Sequence, residues 1–433
     1  MGKGSQKDTT EAGAHAVPEQ VSIALGEIAG DVREGLLALA VGAGLQVMAA
    51  MMAADVVAVC GPKGQHDPAR AATRHGSEDG SVTLGGRRVP VRRPRIRAAD
   101  GSGELPVPSY EAFSGTEVLG GMAMERMLAG LATRKYPVGL EPVGERVEAT
   151  SSATSKSAVS RKFVKATETA LAELLAADLS GLDLAALMID GVHFGESCCV
   201  VALGIDIDGV KHPLSLVEGS TENTTLVREL LVGLRERGLN TTGPVLAVLD
   251  GAKALRAGVL EVFDHPVIQR CPLHKIRNVQ DHLPQKMRST VGSKMRSAYH
   301  TDSALAAEAA LTALAAELDK THPSAAASVR EGMADTLTVL RLGVPPTLAR
   351  TLRSTNAVES MISICRDHSS NVKRWRDGQM ALRWCAAGMT EAGKQFRRVN
   401  GHLHLTTLRT ALERHVGTEN VGPDTYTDTV SAA

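Results

Sequence analysis

Two aspartates follow apolar runs that are typical of buried strands: Asp190 ends "ALMID" and Asp250 ends "VLAVLD". On neighbouring strands of one sheet, these two carboxylates would lie side by side. Adjacent carboxylates repel each other unless a cation neutralises them, and oxygen-only ligands suit Mg²⁺ or Mn²⁺. Two such ions, bridged by carboxylates, can activate a nucleophile and stabilise the leaving oxygen of a phosphodiester. Both aspartates also precede glycine, and Asp-Gly is a common turn pair, so a plain turn is the alternative interpretation.

A third carboxylate would complete a two-metal site, and Glu359 in "STNAVES" is the candidate. Its alternative role is structural. Asn356 as N-cap with Glu359 three residues later is close to a capping box at the start of a helix. Capping and metal binding would place the Glu359 side chain differently, and the sequence does not separate them.

Cys271 and His274 form a "CPLH" motif just after a short apolar run. A structural zinc site usually takes four ligands in two such pairs, and the sequence has no second C-x-x-C or H-x-x-H pair. Metal binding by this pair and a simple packing role for Cys271 both remain open.

The elements that must position these residues begin at residue 184 and read as β-β-β-α-β-α-β. The Asp208-Gly209 pair predicts a hairpin between the second and third strands. Three antiparallel strands followed by two βαβ crossovers give one mixed five-stranded sheet with helices on both faces. This is the order of the ribonuclease-H-like fold, in which the first and fourth strands, carrying Asp190 and Asp250, are neighbours. The predicted class is therefore α/β, with a ribonuclease-H-like core.

The remaining segments are predicted around this core. The first part of the core is 184–274, an all-helical insertion follows at 275–350, and 351–416 is the second part with the Glu359 helix. A disordered tail is expected at 1–20, a helical segment at 21–58 and a polar tail at 417–433. Residues 60–180 are predicted to be a DNA-binding region with a basic hairpin and helix-turn-helix-like helices.

Basic residues are concentrated in local runs although the formal net charge is zero. "GRRVPVRRPRIR" predicts one strand of a basic hairpin that turns at Gly85-Gly86. Residues 270–296 hold seven Lys or Arg and one acid, and residues 366–398 hold eight against three. Local charge decides phosphate attraction, so these runs indicate nucleic-acid binding, with solvated charged surfaces as the alternative. The residues predicted to contact DNA are Arg87, Arg88, Arg92, Arg93, Arg95, Arg97, Lys156, Arg161, Lys162, Lys275, Arg277, Lys373 and Arg374.

The stretch Gly35–Ala54 is apolar and about long enough to cross a membrane. It is dominated by Ala and Gly, which transfer weakly into lipid, so a buried helix or a helix–helix interface is favoured over a membrane span. The six cysteines form no dense framework, which is typical of reduced thiols in the cytoplasm.

The motifs "MIDGVHFG", "VLDGAKAL", "CPLHKIRNV" and "RSTNAVESM", in this order, resemble those of the mutator-type insertion-sequence transposases. The resemblance covers roughly residues 65 to 410. It implies that Asp190, Asp250 and Glu359 are the catalytic, metal-binding triad for two Mg²⁺ or Mn²⁺ ions, and that Cys271 and His274 belong to the same core. The implied activity is nicking at transposon ends and transfer of the 3′-hydroxyl to target DNA. The implied partners are terminal inverted repeats, target DNA and further copies of the chain, with no membrane and a nucleoid-associated location.

Overall fold

The computed structural model describes residues 35–420, except for 66–69, 85, 116, 133, 134, 137–139, 141, 142 and 154. The tail predicted at 1–20 lies outside the described residues, as does most of the tail predicted at 417–433. The chain divides into two compact units, one of residues 1–126 and 131–163, the other of residues 127–130 and 164–433.

The first unit is built on the predicted basic hairpin, which is confirmed. Strands β1 (Ala72–Leu84) and β2 (Arg87–Ala98) pair antiparallel, and two short strands, β3 (Glu104–Leu105) and β4 (Ser152–Ala153), also pair with β2. Alternate apolar residues of the hairpin are buried, because successive side chains of a strand point to opposite faces. The helices of this unit are α1 (Leu36–Cys60), α2 (Pro108–Ser114), α3 (Glu117–Leu128) and α4 (Glu145–Thr150). Helix α5 (Lys156–Ala176) begins here and continues into the second unit.

Helix α1 packs against the hairpin along one side. Met48, Met52, Val56 and Cys60 recur every four residues and form a buried stripe that packs with the hairpin core. The apolar window within Ala38–Cys60 is 22% buried, so the helix is buried along this stripe and not on all sides. This segment is long and apolar enough to cross a membrane by length and composition, a test that the core helix of a soluble protein also passes.

The second unit contains the predicted five-stranded sheet. Its strands are β5 (Leu184–Phe194), β6 (Ser197–Asp206), β7 (Lys211–Gly219), β8 (Val245–Leu249) and β9 (Pro266–Arg270), arranged as β7-β6-β5-β8-β9. The first three pair antiparallel, whereas β8 is parallel to both β5 and β9. Helices α6 (Thr224–Glu236) and α7 (Lys253–Val262) form the two crossovers. The predicted strand order, with the first and fourth strands adjacent, is confirmed.

A block of helices follows β9, as predicted. These are α8 (Pro272–Asp281), α9 (Gln285–Tyr299), α10 (Ala304–Asp319), α11 (Pro323–Arg330), α12 (Met333–Thr336), α13 (Thr338–Arg341) and α14 (Pro346–Leu352). Residues of α8 to α11 share a hydrophobic core of their own. The block is therefore a separately packed layer inserted between β9 and the helix that carries Glu359.

The sheet is covered on both faces. Leu187 and Ile189 of β5 pack with α6 and α7, while Ala186 and Met188 pack with α15 (Asn356–Ser369), α16 (Gly378–Gln395) and α17 (Leu405–Asn420). A short 3₁₀ turn, His402–His404, precedes α17. Burial on both faces explains why β5 and β8 are continuous apolar runs rather than alternating ones.

Glu331 joins the helical block to the sheet. Its carboxylate accepts from Arg270 Nη1 at 2.5 Å and from Lys275 Nζ at 2.8 Å. Lys275 is completely buried, so its prediction as a DNA contact is wrong. A buried ammonium needs a charged partner, and Glu331 supplies it from the far end of the insertion.

We expect Glu331→Gln to lower the free energy of unfolding by about 2 kcal/mol near neutral pH, because it leaves the buried Lys275 without a carboxylate partner. The pair with Lys275, opposed by burial, lowers the pKa of Glu331 to about 2. A depressed carboxyl pKa stabilises above the unfolded value, so the difference between wild type and variant should shrink as pH falls from about 4.5 towards 2. Thermal unfolding at several pH values measures this.

Glu317→Gln is the matched control, because Glu317 pairs with Lys294 in an exposed ion pair. Exposed ion pairs contribute little to stability, so the free energy of unfolding of this variant should lie within about 0.5 kcal/mol of the wild-type value. Equal stability of the two variants at neutral pH would contradict the role given to Glu331.

Candidate active site

The register of the sheet places three of the predicted residues at one edge. Ile189 of β5 is aligned with Leu249 of β8, which is aligned with Arg270 of β9. Asp190, Asp250 and Cys271 each come one residue after these aligned positions. The Cys271 N–H donates to Leu249 O at 2.7 Å, which fixes this level of the sheet. The two aspartates and the "CPLH" motif therefore belong to one site.

Asp190 lies inside a strand and not at its end, which corrects the sequence expectation. Strand β5 continues to Phe194, paired with β6, while its pairing with β8 stops at Ile189. The Asp190 carboxylate accepts from the Gly191 N–H at 2.8 Å. Because the strand continues through Gly191, the plain-turn interpretation does not apply to Asp190.

The charge around Asp190 is strongly negative. Burial raises the pKa of Asp190 to about 6, and the charges of Asp250 and Glu359 add to this shift, whereas the Gly191 N–H and the charge of His274 oppose it. The three predicted carboxylates are thus close enough to interact electrostatically. Carboxylates held together in a partly buried site fit a divalent cation, which would remove this repulsion.

Asp250 combines a turn role with a place in the site. Its carboxylate accepts from the Ala252 N–H at 2.7 Å, so the turn interpretation is correct for this residue. Gly251 has φ 108°, and a Cβ there would collide with the Arg270 guanidinium. Only glycine fits this position, which lets the chain leave β8 while the Asp250 carboxylate remains at the sheet edge.

Glu359 is held by a hydrogen bond and not by a capping box. Thr355 is the N-cap of α15, and Asn356 is already the first helical residue, so the predicted Asn356 cap is wrong. Thr355 Oγ1 donates to Glu359 Oε1 at 2.6 Å. The first turn of α15 therefore presents the Glu359 carboxylate to the same site as the aspartates.

Cys271 and His274 lie against Glu359. The Cys271 sulfur, a His274 ring nitrogen and a Glu359 oxygen all lie within 4.8 Å of one another. His274 Nδ1 is 3.7 Å from Glu359 Oε1 and 3.4 Å from Thr355 Oγ1. A hydrogen bond with Cys271 raises the pKa of His274, with burial opposing. Glu359 thus supplies a third possible ligand that no sequence spacing shows, and the question of metal binding by this group stays open.

Glu222 is a fourth carboxylate that the sequence analysis missed. It lies in the loop between β7 and α6, and a Cβ added at Gly191 would be only 3.0 Å from its Oε2. Burial is the main reason that the pKa of Glu222 is raised to about 7, and the charges of Asp250 and Asp190 contribute in the same direction. Its neighbour Asn223 caps α6 by accepting from the Leu226 N–H, and this cap is the only local signal in "STEN".

The hairpin arginines are engaged within the first unit. Arg92 pairs with Asp79, and both Arg93 and Arg95 pair with Glu104. Further partners are Glu78 for Arg93 and Arg95, the Ser81, Thr83 and Ser114 oxygens for Arg88, and Glu148 for Arg87. Arg87 is also buried, so its assignment as a DNA contact is wrong for this structure. The acids that balance this run are Glu78 and Asp79 on the opposite strand, Glu104 on β3 and Glu148 on α4.

The other predicted DNA contacts are at the surface or close to it. Exposed positions are Arg97, Lys156, Arg161, Arg277, Lys373 and Arg374, and Lys162 is partly exposed. Lys373 and Arg374 lie in the segment before α16, whose Trp375 packs on Phe194 with ring centroids 5.0 Å apart. Trp375 therefore lies before the start of α16 and packs against the sheet through Phe194.

Comparison with known proteins places the chain in one family. The model of the family described as "Transposase, Mutator family" matches residues 30–399. The transposase for insertion sequence element ISRM5 of Rhizobium meliloti is 27% identical over 349 residues, which is 80% of this chain and 85% of the relative. The transposase for IS6120 of Mycolicibacterium smegmatis is 27% identical over 56% of this chain and 76% of its own length. The transposase for IS256 in transposon Tn4001 of Staphylococcus aureus is 25% identical over 67% and 74%, respectively. The chain therefore belongs to the Mutator family of transposases.

Proposed function

We propose that this protein is a transposase that cuts DNA at the terminal inverted repeats of its insertion sequence and transfers the 3′-hydroxyl to target DNA. The observation that carries the proposal is the alignment of Ile189 with Leu249, after which Asp190 and Asp250 follow side by side. The charge of Glu359 also contributes to the raised pKa of Asp190. The strand order supports a ribonuclease-H-like core.

Asp190, Asp250 and Glu359 are the residues that would hold two Mg²⁺ or Mn²⁺ ions, which when bound supply nucleophile activation and neutralise the leaving oxygen. The chain's own residues do the positioning. Gly251 lets Asp250 stay at the edge of the sheet, and Thr355 holds the Glu359 carboxylate in its direction. Glu222 is a further carboxyl group on the Gly191 side of the site, and its pKa is raised to about 7 by burial and by the charges of Asp250 and Asp190.

The test is an assay of purified protein with labelled DNA carrying the terminal repeats of its own element, a target plasmid and Mg²⁺. The proposal predicts a specific nick at the repeat end and labelled end DNA joined to the plasmid. Nicking without joining would identify a nuclease, and repeat binding without either reaction would identify a repressor. The proposal includes action as a homodimer or higher oligomer on DNA, in the cytoplasm at the nucleoid.

We also propose that the repeat sequence is recognised by the hairpin and the start of α5. Arg97, Lys156 and Arg161 are exposed basic residues there. The triple alanine variant should bind the terminal repeat with lower affinity and lose at least about tenfold in its preference over random duplex. A gel shift with both duplexes measures the ratio, and a preference equal to that of wild type would refute recognition by these elements.

A further inference from the structure

A basic pocket is lined in part by chain neighbours of Cys271, His274 and Thr355. It has a volume of about 200 Å³ and is lined by residues of α8, α9, α14 and the start of α15. Pro272 and Leu273 of the lining lie between Cys271 and His274 in the chain, and Ser354 and Asn356 flank Thr355. The pocket therefore shares its wall with the residues that hold Glu359.

Three arginines line this pocket: Arg296, Arg350 and Arg353. Within the described part of the chain, no ion pair between these guanidinium groups and a carboxylate is found, and no acidic residue is part of the lining. The hairpin shows the opposite pattern, since Arg92, Arg93 and Arg95 each pair with an acid. Unneutralised like charges held around one small concavity are suited to an anion.

Arg353 is held in a fixed orientation. Its Nη1 donates to Tyr299 O at 3.2 Å and its Nη2 donates to His300 Nε2 at 2.9 Å. His300 Nδ1 in turn lies 2.6 Å from Arg296 O, to which it donates. A guanidinium fork fixed in this way loses little side-chain freedom when it binds a phosphate. Burial and the charge of Arg350 lower the pKa of Arg353, which agrees with a cation lacking a counter-charge.

The first residue of α15, Asn356, also lines the pocket. The N-terminus of a helix carries a partial positive charge that favours anions, and here it adds to the three arginines. A volume near 200 Å³ suits one phosphate group with part of a sugar better than a larger ligand.

We propose that this pocket binds a backbone phosphate of the DNA strand whose scissile bond lies at Asp190, Asp250 and Glu359. This inference rests on the proposed function, because it takes DNA to be the substrate. The pocket would fix the position of the strand relative to the carboxylates without reading its sequence, as phosphate contacts do.

The test is fluorescence anisotropy of a labelled random-sequence duplex with the full chain at several KCl concentrations, in EDTA. Removing one phosphate contact should lower the slope of log K against log salt by about 0.9. Arg350→Ala and Arg296→Ala should therefore each flatten the slope, and the double variant more than either. Arg353→Lys should keep the slope but weaken binding, because lysine keeps the charge and lacks the fork.

Arg235→Ala is the matched control, an exposed arginine in the last turn of α6, the helix whose other end follows Glu222. It should leave the slope unchanged. Wild-type slopes for the double variant, or an equal change in Arg235→Ala, would overturn the pocket. EDTA removes the divalent ions that cleavage requires, so the binding result does not depend on nicking. A wild-type chain without DNA affinity would instead contradict the proposed function itself.

Discussion

Asp250→Asn is expected to abolish nicking and strand transfer while leaving DNA affinity within about twofold of wild type. Phosphate contacts by basic residues supply most of the affinity, and Asp250 is not one of them. Asn has the same shape and keeps an oxygen to accept from the Ala252 N–H, so the turn after β8 should survive. An amide is a poor Mg²⁺ ligand and cannot bridge two ions. We therefore expect a loss of at least about 10³-fold in turnover, which is about 4 kcal/mol.

The measurement for Asp250→Asn is paired: gel-shift affinity and nicking rate on the same labelled repeat substrate in Mg²⁺. Asp264→Asn is the matched control, since Asp264 is exposed and precedes β9 at the opposite edge of the sheet. It should nick as wild type does. An Asp250→Asn protein that nicks at the wild-type rate would show that Asp250 has no part in the mechanism. The main reason to regard the protein as an enzyme and not as a repressor would then be lost.

Thr355→Val is expected to slow nicking by about 10- to 100-fold at limiting Mg²⁺ and to shift the Mg²⁺ requirement upward. Thr355 is fully buried, and its hydroxyl donates to Glu359 Oε1 at 2.6 Å. Valine keeps the shape and removes the donor, so the Glu359 carboxylate would be free to rotate away from the aspartates. Losing a group that orients a metal ligand typically costs this much in metal affinity or activity.

The nicking rate of Thr355→Val is measured as a function of Mg²⁺ concentration, with thermal unfolding of the same preparation. Thr355→Ser keeps the hydroxyl and should restore the wild-type Mg²⁺ midpoint. A merely structural role would lower stability without moving that midpoint. An unchanged midpoint in a folded Thr355→Val protein would show that Thr355 does not position Glu359.

The sheet and two of its carboxylates could be predicted because their signals are local. The apolar run of β8 ends just before Asp250, and the short strand β9 ends just before Cys271. The β-β-β-α-β-α-β order has few topologies once crossovers must be right-handed. The alignment of Ile189 with Leu249 is the observed register of the parallel pair β5 and β8, which the order of elements does not itself fix. The sequence predicts that the strand ends at Asp190, where the continuous apolar run ends. Beyond Asp190, β5 is held by its pairing with β6, which depends on another segment of the chain.

The residues that the sequence missed depend on partners distant in the chain. Lys275 lies in a basic run, yet it is buried by Glu331, 56 residues away. Glu222 reaches the site only because β7 returns along β6 to the edge where Gly191 lies. The hairpin was the exception. Its register pairs Glu78 with Arg93 and Asp79 with Arg92, so these two ion pairs follow from the strand pairing.

A crystal structure of the protein with Mn²⁺, located by its anomalous scattering, tests most directly whether the three carboxylates form a two-metal site. Two Mn²⁺ peaks are expected about 3.5–4 Å apart, held between the carboxylates of Asp190, Asp250 and Glu359. Peaks elsewhere, or a single ion bound by Cys271, His274 and Glu359 without either aspartate, would contradict it.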